Sequence, residues 1–143
     1  MNTLERLCNE YAEKNIKIYH DETEPVTISY GERYAVFMDF FEINGTANLN
    51  WSLGHELGHC ATGATHRVGS PFELIQKHEY KANRYFFTRY IPPCQFEDAF
   101  KRGITEKWEI AEWFELPEEF IIKAWTFYLD NNLLKNPYIS DFG

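Results

Sequence analysis

The chain is poor in the residues that mark several common protein classes. It has three cysteines, Cys8, Cys60 and Cys94. An odd count at wide spacing excludes a disulfide framework and a Cys-x-x-Cys metal or redox site. Basic residues are scarce: 14 Lys and Arg stand against 22 Asp and Glu, for a formal net charge of −8. No dense basic run appears, so the chain has no global pull on nucleic acid, whose binding leans on cations at phosphates. Long apolar runs are missing too; none approaches the roughly 18 residues of a membrane span. The opening MNTLERLCNEYAEKN has no basic start followed by an apolar stretch. The expected setting is therefore reducing and cytoplasmic, with no membrane and no direct nucleic-acid partner.

What is present fits a folded domain. Hydrophobic residues make up 44% and aromatics 17% of 143 residues, enough for one buried core rather than a disordered chain. No internal repeat or interdomain linker stands out. The expectation is a single domain over 1–143, with about 131–143 as a loose C-terminal tail.

Periodicity gives an outline. Leu4, Leu7, Cys8 and Tyr11 recur at helical spacing over about 2–14. Ile16 and Ile18 alternate, as do Val26, Ile28 and Tyr30, and YAVFMDFF (34–41) is apolar throughout. These read as three short strands. A helix is expected from about 48 to 64, with Thr46, Asn48 or Asn50 as candidate caps. Ser70-Pro71 starts another, which runs to Tyr90 and is stopped by Ile91-Pro92-Pro93. Shorter helices follow to about Lys101, near 105–114 and over 117–130. Strands first and helices after predict an α+β fold: a small twisted sheet of about three strands on a mainly helical body.

The chemistry concentrates in HELGH, 55–59. Residues four apart on a helix share a face, so His55 and His59 can hold one metal ion, with Glu56 beside them as a base. Leu53, Leu57, Cys60, Ala61 and Ala64 form a separate stripe expected to face the core. Gly54 and Gly58 lie on the histidine side. Each costs about 1 kcal/mol in a helix relative to alanine, so something, a substrate or a strand, is expected to pass close. On an ordinary helix the two histidines would simply face solvent.

A third ligand is found in the next helix. Phe72, Ile75, Ala82, Phe86 and Tyr90 form one stripe, and Glu79 falls within it. A carboxylate on a core-facing stripe needs a cation, either a metal or an arginine such as Arg67 or Arg84. Glu79 follows His59 by twenty residues, room for one helix to end and the next to return. His66 is a rival, but the metzincin spacing HExxHxxGxxH needs Gly at 62 and His at 65, where this chain has Thr62 and Thr65. His78 points about 100° away from Glu79 around the helix. Cys60 belongs to the core stripe. Asn83, one turn after Glu79, is a candidate acceptor for the second ring nitrogen of a ligating histidine.

HELGH followed by EYKANRYF resembles the ImmA/IrrE-type metallopeptidases, a gluzincin-like group of phages, mobile elements and bacteria. The match is carried by Glu79, Ala82, Asn83, Tyr85 and Phe86, with Ile91-Pro92 closing the helix, and it covers about 16–130. The resemblance implies a zincin-like fold in a single metallopeptidase domain. It implies Zn²⁺ held by His55, His59 and Glu79, with Glu56 as general base. It also implies a protein substrate, a helix-turn-helix transcriptional repressor of a phage or mobile element, cut at one site. His66, Tyr80 and Tyr85 are candidate donors to the oxyanion. The strand 34–41 is expected to border the cleft and to pair with an extended peptide.

Two other readings stand beside this one. Residues 103–125 could spell a helix-turn-helix, but its second helix would lead with Glu118 and Glu119, the wrong charge for phosphates. Trp108, Ile110, Ala111 and Phe114 with Phe120, Ile121, Ala124 and Tyr128 read instead as packing faces. The other is a catalytically quiet zinc-fold module that binds and sequesters a regulator or antitoxin. The intact Glu56 speaks against it, because a pure binder has no use for a base.

Overall fold

A computed structural model of the chain describes residues 1–65 and 69–133. His66, Arg67 and the tail from 134 onward lie outside the described residues. The architecture is α+β, six helices and one three-stranded sheet among the described residues. The chain divides into two compact units, Met1–Phe86 and Phe87–Gly143. No described helix is long and apolar enough to cross a membrane.

The first unit opens with α1 (Thr3–Glu13), capped by the Asn2 side chain, which accepts from the Glu5 amide at 2.8 Å. Its end is a Schellman turn. Asn15 takes a φ of 59°, and the Ile16 amide returns to the Tyr11 carbonyl at 3.0 Å. That reversal launches β1 (Lys17–His20), which runs parallel to β3 (Arg33–Met38), while β2 (Val26–Tyr30) pairs with β3 antiparallel. The strand order β1-β3-β2 puts β3 in the middle. The strand expected to reach residue 41 ends at Met38. Asp39 Oδ1 instead accepts from the Phe41 amide, a local turn that competes with the ladder.

Helix α2 (Gly45–Thr62) starts a few residues before the expected 48, on Asn44 in extended conformation. The three candidate caps therefore lie inside the helix. Leu53, Leu57 and Cys60 are buried, and so is Ala64 just beyond the helix end, but Ala61 is exposed. The α2 helix stops at Gly63, φ 65°, in the left-handed region. Helix α3 (Phe72–Tyr90) departs from its expected stripe. Phe72 is 71% exposed and Ile75 only half-buried; the packed face begins at Ala82 and continues with Phe86 and Tyr90.

The two costly glycines of α2 serve that packing. A Cβ on Gly58 would collide with the Ala82 carbonyl, and one on Gly54 with the Phe86 ring. What passes close is α3, not a substrate or a strand. Helix α1 ties both ligand-bearing helices: the Tyr11 hydroxyl donates to the Leu53 carbonyl at 2.6 Å, and Glu10 accepts from the Tyr85 hydroxyl.

In the second unit α4 (Pro93–Lys101), α5 (Lys107–Phe114) and α6 (Glu118–Asp130) enclose an aromatic core. Phe96 lies 5.1 Å from Phe114 and 5.2 Å from Trp125, ring centre to ring centre. Tyr128 is buried and donates to the Phe87 carbonyl at 2.8 Å. Burial pushes its phenol pKa up. Of the expected packing residues, Trp108 is 56% exposed and so does not pack. Glu118 and Glu119 occupy the first turn of α6, both exposed.

Candidate metal centre

His55 and His59 project from adjacent turns of α2, and Glu79 comes from α3, about one turn before its packed face begins at Ala82. Among the described residues, these three form a group whose ligand atoms all lie within 4.8 Å of one another. Glu79 Oε2 is 2.7 Å from His55 Nε2, and Glu79 Oε1 is 3.2 Å from His59 Nε2. The two Nε2 atoms are 3.3 Å apart. Tetrahedral ligands at zinc-like bond lengths stand about 3.3 Å from each other, so the spacing fits one small cation.

The outer ring nitrogens decide the chemistry of the inner ones. His59 Nδ1 is 2.6 Å from the Ala64 carbonyl, which can only accept, so Nδ1 carries the proton. His55 Nδ1 is 2.8 Å from Asn83 Oδ1 and is a donor for the same reason. In the neutral rings both Nε2 atoms then hold lone pairs aimed at a carboxylate. Three acceptors converge and lack a shared donor. A proton on one ring makes an ion pair; a divalent cation satisfies all three at once. His55, His59 and Glu79 are positioned to hold a metal ion.

The electrostatics agree. Hydrogen bonds from His55 and then His59 hold Glu79 well below the usual carboxylate range. Burial works against the His59 imidazolium. The Glu79 hydrogen bond, the Ala64 carbonyl and the charges of Glu56 and Glu79 outweigh it, and its pKa is raised. Each group stabilises the charge of the other.

The cluster forms the floor of a cleft of about 420 Å³, walled by Glu24–Thr27 of the strand side and by Trp51, Ser52 and Thr65, with Glu56 in the same lining. Glu56 is buried, 5% exposed, and its Oε1 accepts from Thr27 Oγ1 at 2.9 Å. Cys60 lies on the buried side, its thiol pushed up to about 12 by burial. It is inert by that measure.

The structure separates the other candidates. Asn83 touches His55. Tyr85 is turned to Glu10, away from the cluster. Tyr80 is half exposed and absent from the cleft lining. His78 is not in the ligand group, and His66 falls outside the described residues. The cleft wall is β2, not β3, because β3 is flanked by partners on both sides.

Three groups at the site escaped sequence reading. Trp51 stacks on the His55 ring at 5.3 Å, and its position one turn before His55 was a usable signal. Thr27 reaches Glu56 only through the sheet register, and the Ala64 acceptor is backbone; neither leaves a local signature.

No known protein-family profile matches the chain, and no curated protein or solved structure matches it either.

Proposed function

We propose that the chain is a zinc-dependent endopeptidase of the ImmA/IrrE type, acting on a protein substrate of the helix-turn-helix repressor class. One observation carries the reading: three acceptors from two helices converge in an open cleft that also contains the buried carboxylate of Glu56. A purely structural metal site would be closed by a fourth protein ligand. The partner class rests on the resemblance of HELGH and EYKANRYF alone.

When bound, zinc supplies Lewis-acid polarisation of the scissile carbonyl and a water acidic enough to attack near neutral pH. The remaining roles fall to the chain. His55, His59 and Glu79 would hold the ion; Asn83 and the Ala64 carbonyl fix the two imidazole tautomers and orientations. Glu56 takes a proton from the attacking water and returns it to the amide nitrogen as the C–N bond breaks. Thr27 occupies Oε1, so Oε2 serves that transfer.

The substrate is expected along β2. Tyr30 and Arg33 close a two-residue turn in which Gly31 adopts a φ of 61°. Hydrogen-bonded and non-bonded pairs alternate from that closing pair. Thr27 and Ser29 thus turn their main-chain groups outward, where an extended peptide can add. Pro25, Val26 and Trp51 give that part of the cleft an apolar wall.

The test is metal content by mass spectrometry, followed by cleavage of candidate repressors. Wild type should retain about one zinc per chain and Glu79→Ala much less. Glu56→Gln should keep the zinc and lose about 10²–10⁴-fold in turnover. Equal action of wild type and Glu56→Gln on a partner would assign the chain to sequestration instead. No zinc in wild type, even after loading, would sink the reading.

A further inference from the structure

The sheet has a second face that the metal centre does not use. Residues paired across a sheet share a face. The register therefore gathers Tyr19, Ile28, Tyr30, Ala35 and Phe37 opposite the side on which Thr27 meets Glu56. Single exposed apolar residues are ordinary. Here three large ones, Tyr19, Ile28 and Tyr30, are 47–50% exposed and lie together. With Phe37 they wall a hollow of about 320 Å³ floored by Ala35. The Tyr19 and Phe37 rings stack at 5.3 Å, which stiffens one wall. The two charges at register positions on this face, Lys17 and Arg33, are both basic and exposed, in a chain of net charge −8.

We propose that this outer face is an exosite for the protein substrate, taking an apolar side chain flanked by acidic residues. The inference rests on the cleft being a substrate site. The occupant follows from β2, which serves both places. Val26 and Thr27 line the cleft, and Ile28 and Tyr30 wall the hollow on the same strand. A peptide lying along β2 alternates its side chains between the two faces, so the chain that enters the cleft also reaches the outer face. Lys17 and Arg33 select the charge of its neighbours. A second copy of this chain offers the face no acidic partner, because the charges at its register positions are Lys17 and Arg33.

The test uses the full chain with Glu56→Gln, loaded with zinc, and two synthetic peptides. One alternates leucine and phenylalanine with aspartate; the other has lysine for aspartate. Amide NMR should show the aspartate peptide shifting Tyr19, Ile28 and Tyr30. Its affinity should fall about tenfold in Ile28→Asp and in the double variant Lys17→Glu/Arg33→Glu. The charge-reversed variant keeps the hollow intact and guards against a folding artefact in the first. Binding should survive Glu79→Ala, since the exosite needs no metal. Binding at this face in a wild-type chain that retains no zinc even after loading would sink the peptidase reading alone and leave this face a binding surface. Equal affinity for both peptides, or affinity in both surface variants unchanged from the parent Glu56→Gln chain, overturns the exosite. So does loss of binding with Glu79→Ala, which would place the peptide in the cleft. A dimer in light scattering that Ile28→Asp dissolves would assign the face to a second copy, and would likewise overturn it.

Discussion

The two units differ in what they bury. Residues 1–86 hold all four buried polar or charged side chains seen among the described residues: Glu10, Asn50, Glu56 and His59. The buried set of residues 87–133 is entirely apolar or aromatic. Burying a polar group costs stability unless a partner meets it. The first unit carries part of that cost at the cleft, with Glu56 and His59; the second buries polar atoms only on aromatic rings, at Trp125 and Tyr128. The candidate metal centre belongs to the first; the second is read as packing.

The comparison can be broken most forcefully at Trp125, 1% exposed and set edge-on against Phe96 and Phe100. Trp125→Ala should cost about 3–5 kcal/mol of stability. Chemical denaturation followed by fluorescence and circular dichroism would measure it. The fraction that remains folded should bind zinc as wild type does, by titration. Weakened zinc affinity in that folded fraction would show that the second unit is more than packing.

How far this division could be read in advance depended on the range of the interactions. The pair His55–His59 is visible because four residues on one helix fix the geometry before any tertiary contact forms. The helix starts and stops at Pro71, Pro92-Pro93 and Gly103 are equally local. The sequence places Glu79 on a core stripe, yet that stripe does not begin until Ala82, and Glu79 is 39% exposed. The structure does not support that premise; the resemblance points to Glu79 independently. The glycines of α2 signal room, but what fills it is a helix whose contacts, Ala82 against Gly58 and Phe86 against Gly54, lie far along the sequence and are not deducible from local pattern. Thr27 and the middle position of β3 follow from strand order, and order is decided by pairing between segments. The positive φ values at Asn15 and Glu115 are local instead, but they fall at helix ends closed by a Schellman-type return on a residue other than glycine, which residue preference does not signal.

A paired substitution sharpens the contrast at smaller cost. Gly58→Ala places a methyl group against the Ala82 carbonyl in the first unit. Alanine gains about 1 kcal/mol of helix propensity, while overpacking costs about 1–3 kcal/mol, so the net loss in stability is modest. Zinc affinity should drop more visibly, because displacing α3 at Ala82 moves Glu79 one turn away. Gly103→Ala in the second unit meets open space and strains only a φ of 81°. It should lower the melting temperature slightly and leave zinc titrations unchanged. Equal effects on zinc from the two would erase the distinction.

The smallest expected effect is a pH signature confined to the first unit. Glu79 has its pKa lowered from an ordinary 4.5, so the stability it contributes is present above that value and is lost as pH falls. His59 has its pKa raised from 6.5, so its contribution is present below that value and is lost as pH rises. In the metal-free chain both hold together between pH 4.5 and 6.5, and thermal stability should peak in that window. Zinc replaces the shared proton and needs neutral imidazoles. The loaded chain should therefore gain its advantage as pH rises past 6.5, where the metal-free chain declines. Glu79→Ala should remove the mildly acidic optimum and the zinc effect together. Melting curves of both forms across this pH range would decide it. An acidic optimum that persists in Glu79→Ala would mean that the convergence of His55, His59 and Glu79 is not what the first unit uses its buried charge to build.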